Sequence, residues 1–208
     1  MRVLPRPSIA TQRRLTRSMQ ALLLAIIGYG LAMGNPKAIT NGVVALLITG
    51  FPALLERNYR FPLDPWLGLW ITGAVFLHTL GSAGVYGLIF WWDNLTHALS
   101  ASLVAAVGYT AARAIDLHSP DIHVPHRFFF VFIIIVVLSF GVLWELFEFG
   151  LDQLADMTRL TMPLAQHGLD DTVRDLLFNT AGALVVAAFG QAHLTGLAES
   201  LRLRFTGT

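Results

Sequence analysis

Long apolar stretches separated by short polar breaks make up most of this chain. A helix needs about 20 mostly apolar residues to cross the hydrocarbon of a bilayer. Six stretches approach that length: residues 17–34, 38–55, 65–83, 93–113, 127–149 and 174–193. The breaks between them carry turn chemistry. NPK (35–37) predicts a tight turn, RNYRFPLDP (57–65) a basic loop with prolines, and HSPDIHVPHR (118–127) a polar loop interrupted twice by proline. The third stretch has an ambiguous end. GSAGVYGLIFWW (81–92) stays apolar past a glycine-rich break, which reads as a re-entrant or interfacial turn with Trp91 and Trp92 as headgroup anchors. The pattern predicts an all-α integral membrane bundle of about six transmembrane helices, a single transmembrane domain over residues 1–208.

Composition supports the membrane reading. Hydrophobic residues are 55% of the chain and charged ones 13%, against about 25% charged in soluble domains, and the mean hydropathy is +0.62. The absence of cysteine removes disulfides, thiolate ligands and a thiol nucleophile. The opening MRVLPRPSIATQRRLTRSMQ places five arginines ahead of an apolar stretch, as a signal peptide would. LAMGNP offers no small-x-small cleavage site, so an uncleaved first transmembrane helix is expected. There is no phosphate-binding glycine loop, GxSxG elbow, HExxH motif or basic-aromatic nucleic-acid surface.

Charge becomes informative once it is distributed over the spans. With the N-terminus inside, Arg2, Arg6, Arg13, Arg14, Arg17, Arg57, Arg60, Arg113, Arg127, Arg202 and Arg204 collect on one side, against Lys37, Arg159 and Arg174 on the other. The positive-inside rule then places both termini in the cytoplasm and the protein in the plasma membrane as a multi-pass chain. Acidic residues partition the opposite way. Asp93, Glu145, Glu148, Asp152, Asp156, Asp170, Asp171 and Asp175 fall at the outer side, by the parity of the helices alone.

Helical spacing gathers these acids into stripes. At 100° per residue, Glu145, Glu148 and Asp152 fall within about 60° of arc. Asp93 and His97 are spaced i, i+4, with Ser100 near the same line, and Asp171, Asp175, Asn179 and Gly182 form a third stripe. Capping and the helix dipole account for acids that begin helices. They do not account for Glu145, Glu148 and Asp152, which sit where the fifth helix should end and the dipole opposes them. Carboxylates near hydrocarbon turn toward a partner or a watery cavity. The candidate partners are Arg159, Arg174, a shared proton or a bound cation, with simple interfacial solvation as the plain alternative. His97 and His167 are the nearby imidazoles.

If a cation binds, the expected ligands are Asp93, His97, Glu145 and Asp175. Oxygen donors with an imidazole and no sulfur suit magnesium, calcium or manganese, with zinc or iron also compatible. Glu148 or Asp171 would then be the general base. Small residues in ALSASLVAAVG (98–108) and NTAGALVVAAFG (179–190) predict close packing of the fourth helix on the sixth, which would draw Asp93 toward Asp175. His118, His123 and His126 with Asp116 and Asp121 read as a solvated loop rather than a metal site, because prolines break their spacing. His78 reads as a hydrogen-bonded residue between helices. The 150–173 segment is expected to make an interfacial excursion, partly helical, over the acidic mouth.

WDNLTH (92–97), WELFE (144–148) and LDDTVRD (169–175) together resemble the D-x-x-x-H, E-x-x-E and D-T-x-x-D elements of the YjdF-like family of bacterial and archaeal multi-pass membrane proteins. A looser likeness, through Asp175, Asn179 and Gly182, extends to VanZ-like proteins. The resemblance covers residues from about 91 to 186. It implies the membrane topology and the acid–histidine site, and it implies no reaction. Three classes of function fit. One is a metal-dependent envelope enzyme acting on a membrane lipid or lipid-linked precursor. Another is a non-catalytic membrane protein that stabilises a bundle or docks a partner, and the last is an ion- or proton-coupled carrier. A nucleic-acid partner is not expected.

Overall fold

A computed structural model of the chain describes residues 7–59, 64–119, 121, 124–159 and 168–205. Arg2, Arg6, Arg60, His123, Met162 and His167 lie outside the described residues, as does 160–167 of the expected excursion. Every regular element among the described residues is helical: α1 (Ile9–Met33), α2 (Pro36–Tyr59), α3 (Pro65–Leu80, continued through Gly81–Val85 to Tyr86–Leu88), α4 (Trp92–His118), α5 (His126–Thr158) and α6 (Leu169–Phe205). Each of the six is long and apolar enough to cross a membrane. Many large apolar side chains, Leu47, Ile135 and Leu146 among them, face outward. The buried set is instead rich in alanine and threonine. That inversion suits a chain whose outer surface meets lipid and whose helices pack through small residues.

Local chemistry explains where the helices begin. The Ser8 hydroxyl accepts from the Thr11 N–H at 3.2 Å to cap α1. Gly34, in the left-handed region at φ 64°, closes α1 with its N–H on the Gly30 carbonyl. Asn35 then accepts from the Ala38 N–H at 3.1 Å, which starts α2 at once. This is the tight turn NPK foretold. Asp64 accepts from the Trp66 N–H at 2.9 Å, ahead of Pro65 at the first position of α3.

Two expected helix ends involve glycine. The glycine-rich 81–92 stretch does break the third helix. Gly81–Val85 form a π-turn kinked at Gly84, whose backbone (φ 139°, ψ −12°) is not helical, and a short turn, Tyr86–Leu88, follows and ends at the extended Ile89. The Trp92 indole N–H donates to the Leu77 carbonyl at 2.9 Å, while Trp91 is exposed. The fifth helix does not end near Gly150. It runs on through Asp152 and Asp156 to Thr158, where Arg159 takes a left-handed conformation (φ 58°) and its N–H returns to Ala155 at 2.7 Å. The first half of the expected excursion is therefore part of α5, and its end, from Leu169, is the first turn of α6.

The chain divides into two compact units, and the division falls within α4, α5 and α6. One unit holds the chain up to residue 96 together with 145–172. In it, Gly30 and Gly42 admit the side chains of Ile39 and Ile27, so α1 and α2 approach closely. Gln20 donates to the Thr49 carbonyl at 3.2 Å. The Thr79 hydroxyl reaches the Asn41 carbonyl at 3.4 Å, linking α3 to α2.

The other unit holds 97–144 with the chain from 173 onward. Here a Cβ on Gly182 would lie 2.2 Å from the Ala98 carbonyl oxygen, so α6 rests directly on the backbone of α4. Gly141 of α5 accommodates Asn179 and Leu176 of α6 in the same way. Tyr109 and Phe129 meet with ring centroids 5.5 Å apart. Asp116 pairs with Arg113 and also accepts from the Val124 N–H at 2.7 Å, pinning the polar loop back onto α4. Beyond the apolar part of α6, Arg202 donates to both Glu199 oxygens and holds that carboxyl below its ordinary value.

Candidate metal centre

The stripe that α5 buries changes character along its length. Ile133, Val137 and Gly141 are buried, then Glu145 and Glu148, while Trp144, Leu146, Phe147 and Phe149 between them are exposed. Acids inside and aromatics outside is the pattern of a helix that turns its charges away from lipid. The plain reading of interfacial solvation fails for these two residues, which are 5% and 8% exposed. Asp152 is half-buried and Asp156 exposed, so the acids grade outward along the helix.

Glu145 is held by a neighbour. The Thr172 hydroxyl, on the first turn of α6, donates to Glu145 Oε2 at 2.9 Å. The expected basic partners do not appear: Arg159 and Arg174 are exposed, and the ion pairs His97–Asp175, Arg113–Asp116 and Arg202–Glu199 involve neither.

Asp175, 2% exposed, and Asn179, 6% exposed, form the inner face of α6 with Gly182. Ser100, expected on the line of Asp93 and His97, is exposed instead. The contact between Gly182 and the α4 backbone lies beside His97, whose Nε2 stands 3.6 Å from Asp175 Oδ2. That separation is too long for a hydrogen bond. It is close to the spacing of two ligands on one ion, roughly 3–3.5 Å for bonds of about 2.1 Å at angles of 90–110°. Asp93 is one turn before His97 on the unbroken α4. One ligand atom from each of Asp93, His97 and Asp175 lies within 4.8 Å of the other two. Among the described residues this is the group of three acidic or histidine side chains close enough to share one metal ion, and Glu145 is not in it.

A polar chain that the sequence indicated only in part supports the start of α4. Tyr86 Oη lies 2.8 Å from His78 Nδ1 and 3.4 Å from Thr96 Oγ1, and the Thr96 hydroxyl donates to the Asp93 carbonyl at 2.8 Å. His78 is thus the hydrogen-bonded residue expected. Tyr86 and Thr96 went unread because a lone tyrosine or threonine beside a glycine-rich break gives no periodic signal. Farther along the helices the hydroxyls turn back on their own carbonyls, Ser102 to Leu99 at 2.6 Å and Thr180 to Leu176 at 2.8 Å. The proposed general bases differ in setting, Glu148 being buried and Asp171 half-buried. The donor set of the group, two carboxylates and one imidazole, fits magnesium, manganese or zinc and leaves coordination positions for water or substrate.

The sequence profile of a family described as a predicted membrane protein (DUF2238) matches residues 15–196. An uncharacterized protein of Thermotoga maritima is 26% identical over 184 residues, covering 86% of this chain and 91% of the relative. No solved structure matches. The YjdF-like resemblance is consistent with these matches without being named by them, and the looser VanZ likeness finds no support in them.

Proposed function

The chain belongs to the family of predicted membrane proteins DUF2238, and on that premise we propose that it is a divalent-cation-dependent protein of the plasma membrane, acting on a lipid or lipid-linked substrate. The observation that carries this reading is the approach of Asp93, His97 and Asp175 to within 4.8 Å. Asp93 and Asp175 supply negative charge to an ion, and His97 supplies a borderline-soft nitrogen that favours manganese or zinc over calcium. A bound divalent ion polarises a phosphoryl or carbonyl oxygen or activates a water. In this reading Asp171, one of the two general-base candidates, takes the proton released. The basic asymmetry supports termini in the cytoplasm and a site toward the opposite side.

Metal content by mass spectrometry tests this, on detergent-purified protein equilibrated with magnesium, manganese and zinc and then desalted. The wild type should retain one ion that His97→Ala and Asp93→Ala lose. Equal metal content in all three proteins would sink the reading. A non-catalytic role is the second reading, favoured by the Thr172–Glu145 bond, which fastens α6 to α5. It expects His97→Ala to lower the melting temperature equally in chelator and in metal. The carrier reading is weakened by Ser102 and Thr180, whose hydroxyls serve their own helices and offer no continuing polar path.

A further inference from the structure

We infer a second, oxygen-only cation site at Glu145 and Glu148, with Thr172 orienting Glu145, which rests on its own observations and not on the Asp93–His97–Asp175 reading. All three residues lie within one compact unit. Glu145 is 5% exposed, and its two oxygens fare differently. Oε2 accepts from the Thr172 hydroxyl at 2.9 Å. Oε1 is buried and has no hydrogen-bond partner. A carboxylate oxygen taken out of water without a donor or counter-charge is among the costliest arrangements a protein can hold. The basic side chains that the sequence offers near it, Arg159 and Arg174, are exposed and unengaged with it.

Glu148, 8% exposed and one turn farther along the same face of α5, adds a second buried carboxylate. Two carboxylates of one sign buried a turn apart repel each other, and a cation between them reverses the sign of that interaction. The Thr172 hydroxyl, by donating to Oε2, fixes the direction in which the Glu145 carboxylate points. The donor set is two carboxylates, with neither nitrogen nor sulfur. Such a set selects hard cations, magnesium or calcium, with water completing the shell. It differs from the imidazole-containing group, so the two positions should differ in metal preference as well as in residues.

The test is a count of bound magnesium and calcium per chain on the purified protein, with melting temperature in each ion and in chelator. Glu145→Gln keeps size and hydrogen bonding but deletes the charge, and it should remove one bound ion and the ion-dependent rise in melting temperature. Thr172→Val, of similar shape, should weaken magnesium or calcium binding roughly 10–100-fold. Glu145→Asp, retaining the charge, should keep binding with reduced affinity, which separates loss of a ligand from loss of fold. His97→Ala should leave this ion in place; if it also leaves zinc and manganese content unchanged, the function proposed above fails while this site stands. Wild-type magnesium and calcium content in Glu145→Gln, with melting indifferent to chelator, would overturn the site. So would loss of every ion in His97→Ala.

Discussion

At Gly182 a single hydrogen stands where any side chain would enter the backbone of α4. A Cβ there would sit 2.2 Å from the Ala98 carbonyl oxygen and 3.1 Å from the Ser102 nitrogen, and backbone atoms cannot swing aside as a side-chain tip can. Gly182→Ala should therefore push α4 and α6 apart and cost about 1–3 kcal/mol, seen as a lower melting temperature in detergent. Because His97 and Asp175 face each other across the same pair of helices, metal retention should fall with it. Gly150 is the control: nothing lies within 4 Å of its Cβ position, and it is inside α5. Gly150→Ala should be neutral or stabilise by about 0.5–1 kcal/mol through helix propensity. The sequence showed that small residues cluster at 98–108 and 179–190, and so that α4 and α6 pack closely. It did not separate the glycine that admits a neighbour from the one that faces open space. Both sit among apolar residues beside acids, and only the packing distinguishes them.

Elements respond differently where glycine interrupts an apolar run. Glycine permits a helix to end but does not compel it. Gly150 stays within the helix, and α5 continues for two more turns to its cap at Arg159. At Gly81 the chain enters a π-turn that kinks at Gly84, and the missing Cβ makes room for the Tyr86 ring, whose carbons would stand 2.4–2.7 Å from it. Tyr86 then carries its hydroxyl to His78 and to Thr96 at the start of α4. Tyr86→Phe keeps the ring on Gly81 and removes that link. It should cost about 1 kcal/mol of stability. Metal affinity at the Asp93–His97–Asp175 group should fall about tenfold or more, as loss of an orienting neighbour does elsewhere, while the helical circular-dichroism signal is unchanged. An unaltered affinity would show that the chain of hydroxyls serves only the fold. Gly81→Ala should be worse than Tyr86→Phe, since it displaces the ring itself.

For the whole molecule, the number of spans was legible because hydropathy is additive along a helix and needs no partner. Which acids meet was not, because that depends on how helices rotate about their axes. Asp93, His97, Glu145 and Asp175 lie on three stripes expected at one level of the membrane, yet the close group omits Glu145. Orientation rests on a third quantity, the basic asymmetry, and it can be checked through α5. Its 33 residues at 1.5 Å each span about 50 Å, against a hydrocarbon core of about 30 Å. The helix is long enough to emerge from both faces of a bilayer, so its ends should report opposite compartments. The chain has no cysteine, which makes single introduced thiols clean probes. In intact cells Asp156→Cys, on the exposed outer end of α5, should react with a membrane-impermeant maleimide. Ser119→Cys, after the inner end of α4, and Thr208→Cys should react only after permeabilisation. The reverse pattern would invert the protein and put both cation positions on the cytoplasmic side, where lipid-linked precursors on the outer leaflet could not reach them. Labelling of Asp156→Cys and Ser119→Cys from the same side would mean that α5 does not cross at all. The acids on its buried stripe would then need no membrane argument for their partners.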